Sequence, residues 1–358
     1  MVKRTNSYKN SFEDPESLPS PYDREEDPDD LWFLPDPEYE LDGQETPLPK
    51  ANATSLVRPD EWIAAQGKHA PELARAALAV GQLDMLVAQI GPGALERLAL
   101  REVEALVWAA GTPVSVEEIG RDQLQARATT DLGALQQTRW AVRRLMGEGP
   151  AEYLRAFLGL HRVETSDLAH GLRARITGEM FDEAAAEFQT RVAGLTEAHA
   201  FTRAAFARNL WRLSELSLEE DQIEGPVWAA RLMAQGCQTL TFVPLGQGAR
   251  QVQSAGARQL GAYLNVIESG ATAARVELQR LTVWRDRARE HTNFIRGNNP
   301  ARIIDALVVK PMATTEMIEK AAGVSRDTAE RLLARMADMD LAREVTGASR
   351  FRIWSAKI

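Results

Sequence analysis

Apolar residues recur at three- and four-residue spacing through most of the chain beyond residue 53, the pattern of helices with one buried face. The run PDEWIAAQGKHAPELARAALAVGQLDMLVAQI predicts two helices with a break near Gly67–Pro71. Another starts after Pro92–Gly93 and contains Glu104, Ala105 and Trp108. In TPVSVEEIGRDQL, Ser115 and Glu118 have the spacing of a capping box, so a short helix begins there. The next, DLGALQQTRWAVRRLMGEG, closes at Gly147 and Gly149. PAEYLRAFLGLHRV, SDLAHGLRARI, FDEAAAEFQTRVAGL and TEAHAFTRAAFARNLWRLSEL continue the helical pattern. Gly225-Pro226 breaks it, and VWAARLMAQGC restarts it. TLTFVPLG at 239–246 differs and reads as a strand. A long helical pattern follows from about Ala257 to Arg296. Its apolar positions, among them Leu260, Tyr263, Leu264, Ile267, Val276, Leu278, Leu281 and Val283, predict packing on the body or on a second subunit. The expected fold is mostly α, in four parts: an acidic, Pro-rich disordered tail 1–53, a helical body 54–250, a connecting helical segment 251–298 and a terminal unit 299–358.

In the terminal unit Pro300 opens the apolar helix ARIIDALVVK, and Pro311 ends it. Thr314 or Thr315 can cap a second short helix, EMIEKAA. Gly323 suits the left-handed turn after it, and Ser325 caps a third helix, RDTAERLLARMADM. LAREVTGASRFRIW predicts two short strands around a Thr346-Gly347-Ala348-Ser349 turn. Three helices and a hairpin in this order describe a winged helix-turn-helix. Ile318, Ala322, Gly323, Val324, Ala329 and Leu332 stand in slots that resemble the general helix-turn-helix family; Glu319 departs, where that family has a small residue. The resemblance implies double-stranded DNA as partner. On the third helix Ala329, Leu332, Leu333 and Met336 form the expected buried stripe, with Asp327, Glu330 and Arg331 opposite. Ser325 is expected at the helix start beside DNA, with Arg326, Thr328 and Arg331 placed for base edges. Arg335, Arg343, Arg350 and Arg352 suit phosphates.

The net charge of −9 runs against nucleic-acid binding until its distribution is considered. Residues 1–50 hold 14 acids and 5 bases, whereas residues 271–358 hold 16 bases and 11 acids. A weakly basic end on an acidic body is compatible with DNA binding and predicts modest non-specific affinity. The tail also carries one aromatic island, LWFLPDPEYEL at 31–41, suited to docking on the body or a partner. No apolar run approaches the ~20 residues of a membrane span, and the polar N-terminus lacks the apolar core of a signal peptide. Cys237 is the only cysteine, which excludes an internal disulfide or a cysteine zinc cluster and favours a reducing cytoplasm.

The order GPVWAARLMAQG, a short extended run, a long helical segment and NPARIIDALVVKPMATTEMIEKAAGVSRDTAERLL…REVTGASRFRIW resembles an uncharacterised bacterial family. Its members, many on plasmids of plant-symbiotic rhizobia, join a helical domain of unknown function to a C-terminal helix-turn-helix. The expected function is a cytoplasmic, nucleoid- or plasmid-associated, sequence-specific transcriptional regulator without a cofactor, whose helical body dimerises or senses an unknown signal; the apolar-striped segment 257–296 suggests a homodimer. The layout is also similar to Fic-domain proteins with a C-terminal winged helix, whose signature HPFxxGNGRxxR holds a catalytic histidine and a phosphate cradle. The corresponding stretch runs from Glu220 to Arg231. Gly225 and Arg231 are retained, but Glu220 replaces the histidine, Pro226 the asparagine and Trp228 the first arginine. The resemblance therefore implies a degenerate, non-catalytic relative; the alternatives are a cryptic nucleotidyl transferase using Glu220, or an adaptor whose winged helix binds protein.

Other chemistry is weakly signalled. His69, His161, His170, His199 and His291 form no close ligand pair. Gly246 and Gly248 in PLGQGARQ precede a helical pattern but lack the dinucleotide fingerprint and the P-loop lysine, so a helix-entry turn is expected. Cys237 follows Gly236 in apolar surroundings and is expected to be packed, not nucleophilic.

Overall fold

α2 (Ala70–Ile90) and α10 (Leu260–Thr292) lie side by side and form the spine of the molecule. They run parallel: Arg75 bonds Asn265 and Glu268 near one end, and Arg275 bonds Gln82 further along both. This computed structural model describes residues 57–358 except 127–130, 161–174, 177, 219–220, 253–255 and 348–351. The tail, its aromatic island, Glu220, Arg350, His161, His170 and most of the SDLAHGLRARI segment therefore lie outside the described residues.

Around the spine pack α1 (Pro59–Lys68), α3 (Pro92–Ala109), α4 (Val116–Gln123), α5 (Leu132–Leu145), α6 (Leu154–Leu158), α7 (Gly178–Ala193), α8 (Ala200–Leu213) and α9 (Glu224–Met233). The fold is mostly α. Breaks fall where the sequence places them: Pro71 sits in the first turn of α2, and Pro92 opens α3 after Gly91. Ser115 and Glu118 form the expected capping box on α4. α6 is only one turn and a half, shorter than its pattern suggests, and stops at left-handed Gly159. The body's core joins Leu83, Leu98, Val103, Phe157, Phe206, Phe242, Tyr263 and Ile267.

The expected strand at 239–246 does not form. It has no sheet to join, and its backbone donors are taken by carboxylates. Asp84 of α2 accepts from the amides of Gln238, Thr239 and Leu240 at 2.8–2.9 Å. Glu102 of α3 accepts from Leu245 and Gly246, and Val243 donates to the Ala230 carbonyl. Two buried acids replace a ladder, which satisfies the donors without an edge strand. The glycine-containing turn after it is a 3₁₀ helix, Gly246–Val252, not an α-helix entry. The first amides of this turn are taken by the buried Glu102 carboxyl.

α10 belongs to two cores. Leu260, Tyr263, Leu264, Ile267 and Leu278 lie in the body, while Leu281, Trp284 and Ala288 lie in the C-terminal lobe. At 1.5 Å per residue its 33 residues span about 50 Å. The lobe contains α11 (Asn299–Val309), β1 (Ala313–Thr314), α12 (Thr315–Ala322), α13 (Arg326–Asp338), β2 (Ala342–Glu344) and β3 (Ile353–Ala356). The sheet has order β1-β3-β2 and is antiparallel; Ala313 faces Trp354, and Arg343 faces Ser355. The two-residue β1 is too short to show alternation, so the sequence revealed only the hairpin.

Candidate nucleic-acid interface

Local sequence fixes α12 and α13 at both ends. Thr314 caps α12 by accepting from the Met317 amide at 3.2 Å. Gly323 ends it at φ 61°, ψ 43°, a left-handed conformation open to glycine at little cost. Ser325 caps α13, accepting from the Thr328 amide at 3.4 Å, and its hydroxyl meets the Thr328 hydroxyl at 2.9 Å. Ala329, Leu332, Leu333 and Met336 are buried as the helical spacing requires. Leu332, Leu333 and Met336 pack with Ile303, Ile304, Leu307, Ile318 and Trp354. Trp284 Nε1 donates to the Leu341 carbonyl at 2.8 Å, and Trp354 Nε1 to the Thr315 hydroxyl at 3.1 Å, so both rings bury their area without an orphan donor. Glu319 is half-buried, and α12 and α13 pack against each other beside it.

The arginines proposed for DNA separate into different environments. Arg331 is exposed on the outer face of α13, opposite the buried stripe. Arg326 is exposed and paired with Glu330 one turn on at 3.1 Å, which together with the field of Glu330 raises its pKa. Arg335 lies over the Phe294 ring, 4.8 Å from its centroid, so it is pinned to the turn after α10. Arg352 is exposed on the hairpin; burial would raise the Glu344 carboxyl, but the Thr346 hydroxyl, the amides of Thr346 and Gly347 and, last, the charge of Arg352 hold it below its ordinary value. The described face of α13 carries Arg326, Arg331 and Arg335 against Asp327, Glu330 and Asp338. A balanced helix of this kind gains little from phosphate attraction and depends on directed contacts.

Arg343, taken from the sequence as a phosphate contact, is placed otherwise. It leaves the hairpin towards the body and pairs with Glu117 of α4 at 2.5 Å. Burial alone would raise Glu117, but its own backbone amide and Arg343 together bring it below its ordinary value. This pair belongs to a seam between lobe and body. Lys310 pairs with Glu96 at 3.0 Å, Arg121 donates to the Val345 carbonyl, and Arg97 of α3 donates to the carbonyls of Leu307 and Lys310 at the end of α11. Two glycines permit the approach. A Cβ on Gly93 would lie 2.2 Å from the Val309 carbonyl oxygen, and one on Gly120 would lie 1.8 Å from the Met312 methyl. Sequence reading missed this seam because its partners are more than 190 residues apart and no local pattern marks them.

Residues 301–356 match a family model described as an HTH DNA binding domain. The C-terminal lobe is a helix-turn-helix DNA-binding domain. No curated protein matches the chain. Among solved structures the chain is similar to a Fic family protein from Desulfovibrio desulfuricans G20, at 13% identity and a TM-score of 0.45, over 80% of this chain and 96% of that one.

The described part of the stretch that resembles the Fic signature is taken up by packing. Gly225 lies against Trp211, where a Cβ would approach the indole to 2.9 Å. Trp228 Nε1 donates to the Ala151 carbonyl at 2.9 Å, and Arg231 donates to the Arg144 carbonyl at 2.5 Å. Glu224 is buried with Arg175 at 2.8 Å and accepts from Ser217; burial raises its pKa in spite of them. Cys237 is half-buried, and burial together with the charge of Asp84 pushes its thiol up to about 11, so little thiolate forms at neutral pH. His199 caps α8, accepting from the Phe201 amide at 3.2 Å.

Proposed function

We propose that this protein is a sequence-specific transcriptional regulator whose helical body is non-catalytic. The observation that carries the proposal is the helix-turn-helix domain with Arg331 exposed on the outer face of its third helix. A helix so presented enters the major groove with its N-terminal half, where arginine pairs with guanine. The body would serve dimerisation and sensing. Selection of bound duplexes from a random pool, followed by footprinting on the selected site, tests the reading. Recovery of no sequence above the non-specific background would remove it and favour a protein-binding role for the lobe. The non-catalytic part is tested by incubating the protein with labelled nucleotide; incorporation into itself or cellular proteins would refute it.

The reading includes a homodimer, since two-fold operators are bound by two-fold proteins. Most of the apolar stripe of α10 is used within the chain, so α2 offers the better surface. It is long and apolar enough to cross a membrane by composition, yet only a third of that window is buried. Its outer face carries Ala74, Leu78, Gly81, Met85 and Ala88, with Leu78 and Met85 64% and 55% exposed. Side-chain size reads the same in either direction about Gly81, so an antiparallel second copy would place Leu78 of each beside Met85 of the other. Light scattering of the wild type and of Leu78→Glu with Met85→Glu checks this: a dimer is expected for the first and a monomer for the second. A monomeric wild type, free and on DNA, would refute it.

A further inference from the structure

A cavity of about 410 Å³ lies in the seam between body and DNA-binding domain. That is within the range of roughly 300–1,000 Å³ that small-molecule sites occupy. Its lining includes Arg97 and Arg101 of α3, Glu117 of α4 and Glu277 of α10, with Arg343 and Lys357 from the domain. Four cationic side chains thus face two carboxylates. Arg101 is bonded to Glu104 and Glu277 at 3.1 and 3.2 Å, Arg343 to Glu117, and Lys357 to Asp340.

Arg97 is the exception. It is 7% exposed and forms no salt bridge among the described residues. Its Nη2 reaches two backbone carbonyls, and its Nε is buried without a partner. Glu96 and Glu277 act on it only through their fields, and each is bonded to another cation. A buried cation without a counter-ion is costly, and an anion beside it offsets that cost. The other three cations already have acids, so the cavity combines room for a ligand with one buried guanidinium that lacks an acid among the described residues.

We propose that the seam cavity binds a small oxyanion, a compound bearing carboxylate or phosphate groups, between α3 and the DNA-binding domain. The bound anion completes the ion pairing of Arg97 and bridges Arg101 to Arg343, so it joins body to domain. Occupancy tightens the seam. The binding claim is independent of the regulator proposal; only the idea that this ligand is the regulator's signal rests on it.

Calorimetry on the full chain without DNA tests the site, with inorganic phosphate and succinate as separate probes and chloride at matched ionic strength as control. Saturable one-to-one binding of at least one probe is expected. Arg101→Gln with Arg343→Gln, both at partly exposed positions, should weaken it by roughly tenfold or more, one charge-assisted contact being worth about that factor. Arg331→Gln, away from the cavity, should leave it unchanged. Bound probe should also slow hydrogen exchange at the amides of Lys310 and Val345. Absence of saturable binding by both probes up to about 10 mM, a millimolar constant being near the weakest specific affinity, overturns the proposal. Binding equally strong in the double variant also overturns it. A failure of DNA selection leaves these results untouched, so the two proposals fail separately.

Discussion

Replacing Arg331 and replacing Arg343 should have different consequences for DNA binding, although both were candidate DNA contacts in the sequence. Arg331 is exposed on the outer face of α13, and on the proposed reading its guanidinium meets a guanine edge with two hydrogen bonds. Losing such a contact costs ~1–3 kcal/mol, or about 5- to 150-fold in affinity for the selected site. Binding to scrambled duplex should fall far less, and the folded stability should stay within about 0.5 kcal/mol, as for other exposed positions. Arg343 is committed to Glu117, a pair whose side chains are 50% and 35% exposed. Screening at that exposure limits the pair to about 0–1 kcal/mol of stability. If Arg343 met phosphate, its removal would reduce the slope of log affinity against log salt by ~0.9. The seam geometry predicts a slope unchanged within a few tenths of that unit. Fluorescence anisotropy with selected and scrambled duplexes at several salt concentrations separates the outcomes. A full unit of slope lost in Arg343→Ala, with Arg331→Ala indistinguishable from wild type, would show that the domain meets DNA by a different face.

Three further changes test the scaffold. Asp84→Ala leaves three amides without their acceptor, and Leu240 among them is buried, so about 3–5 kcal/mol should be lost in denaturant unfolding; Asp84→Asn, which keeps one carbonyl oxygen, should lose less, and equal losses would contradict the capping role. Burial pushes the Glu102 carboxyl from 4.5 up to about 7, against the amides of Gly246 and Leu245 and the charge of Arg208. Its contribution to stability is therefore fullest below pH 4.5 and is lost as pH rises to about 7, a span worth about 3 kcal/mol that Glu102→Gln should lack in unfolding titrations at pH 5 and pH 8; parallel pH profiles would refute it. Gly93→Ala should force α11 away from α3, destabilise the chain by about 1–3 kcal/mol and speed hydrogen exchange at the seam first; an unaltered seam would mean that the contact is not tight.

Helices, caps and the C-terminal domain were legible because each is written locally. Ser115 with Glu118, Thr314, Gly323 and Ser325 act within a few residues of themselves; the observed caps use the side chains of Ser115, Glu118, Thr314 and Ser325 and the left-handed backbone of Gly323. TLTFVPLG was misread because alternation of apolar residues reports burial, not hydrogen-bond partners. Those partners are Asp84 and Glu102, more than 140 residues earlier. The same limit applies at the site. Sequence spacing put Arg331 on the outer face of α13, since a helix wheel decides it. No spacing could assign Arg343 to Glu117 or Arg335 to Phe294, because those choices depend on how the domain docks.

That docking has a consequence for operator geometry. A domain on a flexible linker can adapt to half-sites at several spacings. Here α10 enters the domain's core through Leu281, Trp284 and Ala288, and only residues 293–298 separate its end from α11. The seam adds Arg97, Arg121, Lys310 and Arg343 on the other side. The domain is held from two directions, so its third helix has a fixed direction relative to α2 and α10. In a dimer formed through α2, the distance between the two recognition helices is then set by the body, and selected sites should show one half-site spacing. Insertion of a half-turn of DNA between half-sites should abolish binding of the dimer, since the partner helix would face the wrong side of the duplex. Binding that tolerates any spacing would show that the seam opens, and would move the source of specificity from the body to the isolated domain.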